Sequence, residues 1–419
     1  MSDLALDSAA ERSARRSMLL LLVVSGVIIS LCMGLRQSLG LFMRPITVET
    51  GVSAATFGFA IALQNIVWGL SQPVVGAFAD RYGARPVLAL TSLIYGAGLL
   101  MMAFFRGGLG LDAAGFLIGI GIAGTGFGVL IGVVARAVPP QRRSQTVGAV
   151  AAAGSLGTIL IAPMGQSLIG RFGWAAALYA FAAVTVVMLL LSMLVRDRRP
   201  ASGSAPASGA APASTPRQPV GKVLRMATEH RGFMAMTVAF FACGFQLAFL
   251  TTHLPQYLEL CGLSPGLSAT ALGLIGLFNT VGTYAFGLLG ARYSQKRLLA
   301  LIYLLRTLFI CTFLLVPVSS ASTLVFASAM GLLWLGVAPL VTGIVSRLFG
   351  LANFNLLYGV SFFSHQVGSF AGAWMGGIVF DLTGSYNWAW GALIVIGALA
   401  FALQWTMDER SPAGEPVPA

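Results

Sequence analysis

Charge is what this chain of 419 residues has least of: Asp, Glu, Lys and Arg make up 9% of it, against about 25% in a soluble domain. That shortage excludes an ordinary water-soluble globule. The 13 acidic residues all fall outside the long apolar runs or at their ends, so no carboxylate stands deep within one. Cysteine is scarce too, and Cys32, Cys243, Cys261 and Cys311 are isolated, without the paired spacing of a zinc or redox site. They read as small apolar fillers, and neither a metal nor a cofactor is expected. With only 3 histidines and no nucleophile–base constellation, no catalytic residue is expected and an enzyme is excluded. The glycine-rich stretch "GIGIAGTGFG", Gly119 to Gly128, lies inside an apolar run and lacks the Lys-Ser or Lys-Thr of a phosphate loop. It reads as close helix packing, as does "GAVAAAGSLG", Gly148 to Gly157, and an ATP-driven stroke is excluded with it.

What is present is hydrocarbon. Hydrophobic residues make up 57% of the chain, and the mean hydropathy is +0.86. Apolar runs of roughly 20 residues, enough to cross a membrane as helices, fall near 18–43, 54–78, 86–105, 113–137, 146–170 and 173–195, then near 232–257, 267–290, 298–317, 322–346, 355–380 and 386–406. The first is too long for a cleaved signal peptide and lacks a small-residue cleavage site. All but five of the 25 Lys and Arg residues fall on one side of these twelve spans: Arg44, Arg106 and Arg171 fall on the other, and Arg36 and Arg306 within the membrane. By the positive-inside rule both termini are cytoplasmic in a multi-pass protein of the cell's inner (plasma) membrane. The net charge of +12 then reports topology, and no nucleic-acid partner is needed.

The segment "RDRRPASGSAPASGAAPASTPRQP", Arg196 to Pro219, cannot bury enough apolar area to offset its ordering entropy. The expected organisation is a cytoplasmic tail over 1–17, a six-helix bundle over 18–195, a flexible cytoplasmic linker over 196–230, a second six-helix bundle over 231–407 and a cytoplasmic tail over 408–419. The halves are copies. A shift of 211 residues places Gly76 on Gly287, Arg81 on Arg292, Tyr82 on Tyr293, Gly132 and Arg136 on Gly343 and Arg347, and Gly148, Gly157, Met164, Gly165 and Gly173 on Gly359, Gly368, Met375, Gly376 and Gly384. The sequence predicts an all-α membrane protein of twelve transmembrane helices in two pseudo-symmetric bundles, meeting at a central site that opens alternately to each side.

"GAFADRYGARPV", Gly76 to Val87, resembles the signature of the major facilitator superfamily, Gly-x-x-x-Asp-Arg-x-Gly-Arg-x-Arg, between helices 2 and 3. Gly76, Asp80, Arg81, Gly83 and Arg85 match, and Ala84 stands where a base is common. The resemblance implies the major facilitator fold and a gating role for Asp80, Arg81 and Arg85: Asp80 would meet the positive N-terminal end of helix 11 and lock the cytoplasmic gate. The second copy carries Ala291 at the Asp80 position, so that latch is one-sided. Within the superfamily the chain is similar to the monocarboxylate transporter and oxalate–formate antiporter group, through the basic residue late in helix 1 and the basic pair leading into "AGSLG", Ala153 to Gly157. It departs from that group in having no Asp-Gly pair entering helix 1 and no arginine in helix 8, where Asn279 and Tyr284 stand instead.

Arg36 carries the functional reading. A charge near mid-membrane costs at least ~2.5–3.5 kcal/mol and normally faces a cavity or a partner. No deep carboxylate exists to neutralise it, so the counter-charge is expected to be the substrate. Ser25, Cys32, Arg36 and Gly40 share one helix face, and a guanidinium grips a carboxylate through two parallel hydrogen bonds. The competing reading is an arginine bonded to backbone carbonyls, and it is the stronger one for Arg306. Gln246, Asn279, Trp334, His365 and Gln366 are candidate substrate contacts, and His253 reads as a gate or capping residue at the outer end of helix 7. His365 is the deepest group able to exchange a proton near neutral pH. The expectation is a monomeric secondary transporter of a small organic anion, a monocarboxylate, with proton coupling through His365. An anion exchanger without protons and a multidrug or other small-solute exporter are the alternatives.

Overall fold

Hydrocarbon offers no water to satisfy backbone polar groups, so runs of this length must close their hydrogen bonds internally, and they do so as helices. The computed structural model describes residues 2–138, 140–195, 220–350 and 354–408, and among these every regular element is helical. The first half comprises α1 (Ser2–Ser38), a 3₁₀ turn (Leu39–Phe42), α2 (Met43–Thr50), α3 (Ala54–Tyr82), α4 (Ala84–Phe104), α5 (Gly108–Thr125), α6 (Phe127–Ala137), α7 (Pro140–Phe172) and α8 (Trp174–Ser192). After α9 (Val220–Glu229), the second comprises α10 (Arg231–Leu260), α11 (Pro265–Arg292), α12 (Gln295–Leu315), α13 (Ser320–Leu332), α14 (Val337–Phe349), α15 (Phe354–Thr383) and α16 (Asn387–Trp405). The pairs α1 with α2, α5 with α6 and α13 with α14 are each one interrupted span.

Eleven of the spans are apolar and long enough to cross a membrane. The twelfth, α15, has the length, at 30 residues, but carries Ser361, Ser364, His365, Gln366, Ser369 and Asp381. A span this polar is tolerated where it faces protein or a water-filled path, and α15 lies at the centre of the molecule. Of the expected linker, 196–219 lie outside the described residues, as do 409–419 of the expected C-terminal tail. The last part of the linker forms α9, with Val223 and Ala227 buried, and the expected N-terminal tail is helical from Ser2.

The duplication governs the packing. In the first half α1 packs on α7, α3 on α5, and α4 on α5 and α8; in the second, α10 packs on α15, α11 on α13, and α12 on α16. The turn glycines Gly173 and Gly384, one repeat apart, have φ of 84° and 66°, a left-handed conformation that glycine adopts without strain. The halves meet along two seams, α3 against α15 and α7 against α11.

These seams are shut at one end only. Towards the end that carries Arg44 and Glu259, here called the far end, Gly58 lies on the Ala373 carbonyl, Gly377 on Ala54 and Gly40 on the Thr251 carbonyl, each leaving no room for a methyl group. Mid-span, Gly69 touches Gln366, and Gly276 touches Ser155 and Thr158. Towards the end that carries Arg81, Arg136, Arg292 and Arg347, the basic end, a methyl group added at Gly76, Gly148, Gly287 or Gly359 would meet nothing within 4 Å. These four glycines are two repeat-related pairs on the four seam helices. The bundles therefore form a wedge, closed at the far end and parted at the basic end.

The wedge predicts different costs for similar substitutions. Gly58→Val must displace the Ala373 backbone and is expected to destabilise this conformation by ~1–3 kcal/mol, lowering the thermal midpoint of the purified protein. Gly76→Ala should leave the midpoint unchanged, and equal losses at the two sites would contradict the wedge.

Candidate substrate site

Arg36 stands in the last turn of α1, just before the chain tightens into the 3₁₀ turn at Leu39, a local departure of the kind common at functional positions. Its Nη2 donates to Asn65 Oδ1 at 2.6 Å. The Asn65 amide is oriented for this, because its Nδ2 donates to the Ile61 carbonyl one turn earlier at 2.8 Å. The guanidinium also lies over the Trp68 ring, 5.0 Å from its centroid, in a cation–π contact. Both partners are neutral. Among the described residues no carboxylate pairs with Arg36, whose side chain is only partly buried and whose Nε has no partner. The ion pairs found there lie elsewhere, as Arg44–Glu259, Arg106–Glu49, Arg136–Asp80 and Arg225–Glu229.

From Asn65 a polar chain crosses the seam. Gln366 Nε2 donates to the Asn65 carbonyl at 2.8 Å, which turns its Oε1 towards His365 Nδ1, 3.1 Å away. An amide oxygen only accepts, so Nδ1 carries the hydrogen. Apart from this chain, Cys243 Sγ accepts from Arg306 Nη1 at 3.3 Å. The chain thus runs from Arg36 to His365, and ring contacts run beside it: Phe362 meets the Trp68 ring at 5.5 Å and stacks on His365 at 6.0 Å.

The two membrane arginines differ in kind. Arg306 is fully buried, and its Nε and Nη2 donate to the Leu333 carbonyl at 3.2 and 2.6 Å, with Nη2 also reaching the Trp334 carbonyl. The tenth span breaks between α13 and α14, a helix end leaves its last carbonyls without internal partners, and Arg306 supplies them. Its guanidinium is thereby committed to backbone carbonyls, the arrangement of the stronger of the two readings, and not to the candidate substrate contact. Gln246 is likewise committed, donating to the Leu393 carbonyl at 3.2 Å, and Trp334 is buried beside the break. Asn279 sits mid-span on the other seam. It donates to Ser155 Oγ across the halves at 2.8 Å and accepts from the Leu335 N–H at 2.9 Å.

The expected gate residues are engaged within the first half. Asp80 pairs with Arg136 of α6 at 3.2 Å, Arg81 lies over the Tyr82 ring at 5.3 Å, and Arg85 Nη2 reaches Met193 Sδ at 3.5 Å. In this parted conformation Asp80 bonds to no described residue of α15. His253 is buried near the far end, with Nε2 2.7 Å from the Ala373 carbonyl and Nδ1 3.1 Å from the Tyr386 hydroxyl. Sequence reading missed Asn65 and Trp68, which hold Arg36 in place. The signal was the pair Gln64–Asn65 inside the apolar run of α3, since two adjacent amides in a span call for partners as a charge does.

A model of the Major Facilitator Superfamily matches residues 18–373. The chain is similar to monocarboxylate transporter 11 of Mus musculus, 27% identical over 368 residues, with 84% of this chain and 79% of that protein covered. It is similar to the oxalate:formate antiporter of Oxalobacter formigenes, 22% identical over 408 residues, with 94% and 92% covered. Among solved structures, a bacterial homologue of the human lysosomal transporter Spinster superposes with a TM-score of 0.74 at 13% identity, over 93% of this chain and 98% of that one.

The two arginines should separate by mutation. Arg306→Leu strands the Leu333 and Trp334 carbonyls in a buried place at ~1–3 kcal/mol per acceptor, so it should sharply reduce the yield of monodisperse protein and its thermal midpoint. Arg36→Gln, which strands no backbone group, should keep both near wild type; the reverse order would contradict this division of roles.

Proposed function

The chain belongs to the Major Facilitator Superfamily of transporters, and on that premise we propose that it carries a small organic anion with a single carboxylate, by alternating access, with Arg36 as the anion site. The observation that carries this reading is the Arg36 guanidinium, held mid-span by a neutral amide and a ring, with no protein carboxylate against it. A carboxylate offers two acceptor oxygens in the plane that a guanidinium fork matches. With Arg306 bonded to backbone, the site supplies one positive charge, which suits a monoanion better than a dianion. The same accounting disfavours an exporter of cationic drugs, because among the described residues no carboxylate pairs with Arg36 or stands deep within a span to attract them. The similarity to a monocarboxylate transporter and to an oxalate:formate antiporter supports an anionic substrate.

In this proposal the basic end faces the cytoplasm of a cell whose plasma membrane holds the protein as a monomer, and the wedge is the cytoplasm-facing state. The substrate reaches Arg36 from the parted end, between α3 and α15. Trp68 and Phe362 offer an apolar surface beside the carboxylate, and Gln366 and Asn279 offer polar contacts at the two seams. Closure of the basic end would bring Asp80, Arg81 and Arg85 against α15. In this reading His365 holds the coupling proton, supported by the hydrogen-bond chain that runs from it through Gln366 and Asn65 to Arg36. The added charge of a protonated ring would act on the groups that hold the anion.

Proteoliposome uptake tests the anion site. Arg36→Lys keeps the charge but loses the fork, so it should weaken apparent affinity for a labelled monocarboxylate, and Arg36→Gln should cut uptake by ~10- to 100-fold, as expected for losing a charge-assisted hydrogen bond. Full uptake by the Gln variant would overturn the assignment.

The coupling proposal has its own test. An imposed inward proton gradient should drive accumulation in wild type, whereas His365→Gln should lose gradient-driven accumulation and keep counterflow exchange. A mutant that still accumulates removes His365 from the role. A wild type indifferent to the gradient makes the protein an anion exchanger.

A further inference from the structure

The far end is held by a bond that crosses the halves. Asp381, two residues before the end of α15, accepts from the Ala54 N–H through Oδ1 at 3.1 Å and from the Ala55 N–H through Oδ2 at 2.8 Å. Ala54 and Ala55 open α3, whose own N-cap, Ser53, serves the Thr56 N–H instead. The first N–H groups of a helix have no internal acceptors, and its macrodipole favours a negative charge at that place. Asp381 therefore supplies from one bundle the acceptors for two N–H groups of the other bundle's helix that Ser53 does not serve. The Arg44–Glu259 pair also spans the halves there, at 3.2 Å, but the Arg44 side chain is 41% exposed, and exposed pairs contribute little. The glycine contacts nearby add shape without direction.

We propose that Asp381 is the latch of the far gate: its cap on α3 holds the far end shut while the basic end is open, and its release accompanies opening to the other side. The arrangement has a mirror. Antiparallel contacts run down the seam from Ala54–Gly377 through Gly58–Ala373 to Gly69–Gln366, so each helix begins beside the other's end. Asp80 lies two residues before the end of α3, as Asp381 does in α15. In this conformation one of the two carboxylates caps its neighbour and the other rests on Arg136 of its own half. Asp381 is solvent-exposed, so water can take over both partners on separation, which a latch that must release requires.

The test needs no substrate, so its outcome is independent of the anion assignment. Two reporters, Ala373→Cys and Thr252→Cys, are placed at positions buried in the far half of the interface, in a Cys261→Ser, Cys311→Ser background. Each is labelled with a small charged thiol reagent, whose rate follows the fraction of open protein when opening is fast and rare. Asp381→Asn, and separately Ala54→Pro, should raise both labelling rates roughly 5- to 30-fold, the ratio that corresponds to losing one charged helix cap. Ala54→Pro removes the donor at the first helical position, where proline is accepted. Unchanged rates in folded protein would overturn the proposal. So would a rise at Ala373→Cys alone, which would mean local fraying, and so would failure of both variants to fold, since a contact that the fold cannot do without is not a latch.

Discussion

A guanidinium mid-span without a carboxylate is the constraint around which the molecule is arranged. The cost of holding Arg36 there is met by what surrounds it: the Asn65 amide, fixed in orientation by its bond to Ile61, and the face of Trp68. Neither cancels the charge, so the site retains an electrostatic demand that an anion can meet. The helix that completes this centre from the other half, α15, is the spanning helix least suited to hydrocarbon. Its polarity has the same origin, since His365 and Gln366 continue the hydrogen bonds that begin at Arg36.

Movement follows from how the two halves touch. Glycines on backbone carbonyls and one charged cap close the far end, while at the basic end repeat-related glycines face open space. In the proposed alternating access, rocking of one bundle on the other would exchange these conditions. Two membrane arginines in one chain invite a single explanation, yet the structure gives them opposite tasks. Arg306 completes the hydrogen bonding of a broken helix. At the repeat-related break in the first half, Thr125 and Tyr95 serve Cys32 with hydroxyl groups instead. The duplication preserved the break and changed the chemistry around it.

Much of the fold was legible in the sequence because hydrocarbon imposes strong rules. Run lengths gave the spans, and the 211-residue offset holds for whole helices: α4 begins at Ala84 and α12 at Gln295, and each ends one repeat from the other. The centre was legible only in part. Arg36, His365 and Gln366 stood out as polar residues in apolar surroundings, and the structure links them. What joins them did not stand out, because Asn65 acts partly through its backbone carbonyl, which no side-chain pattern announces. For Arg306 bonding to backbone carbonyls was already the stronger reading, but which carbonyls was hidden for a related reason. It depends on a break after Leu332, in a stretch where the apolar pattern continues and Pro339 lies beyond the break, inside α14.

The central claim is that Arg36 is a free cation awaiting an anion while Arg306 is not, and arginine-directed modification of purified protein, read residue by residue in a mass spectrometer, tests it most directly. Phenylglyoxal should modify Arg36 and leave Arg306 intact, and a transported monocarboxylate should protect Arg36 in a saturable way that its neutral amide does not reproduce. An Arg36 that does not react, or whose reaction no monocarboxylate slows, would contradict the account.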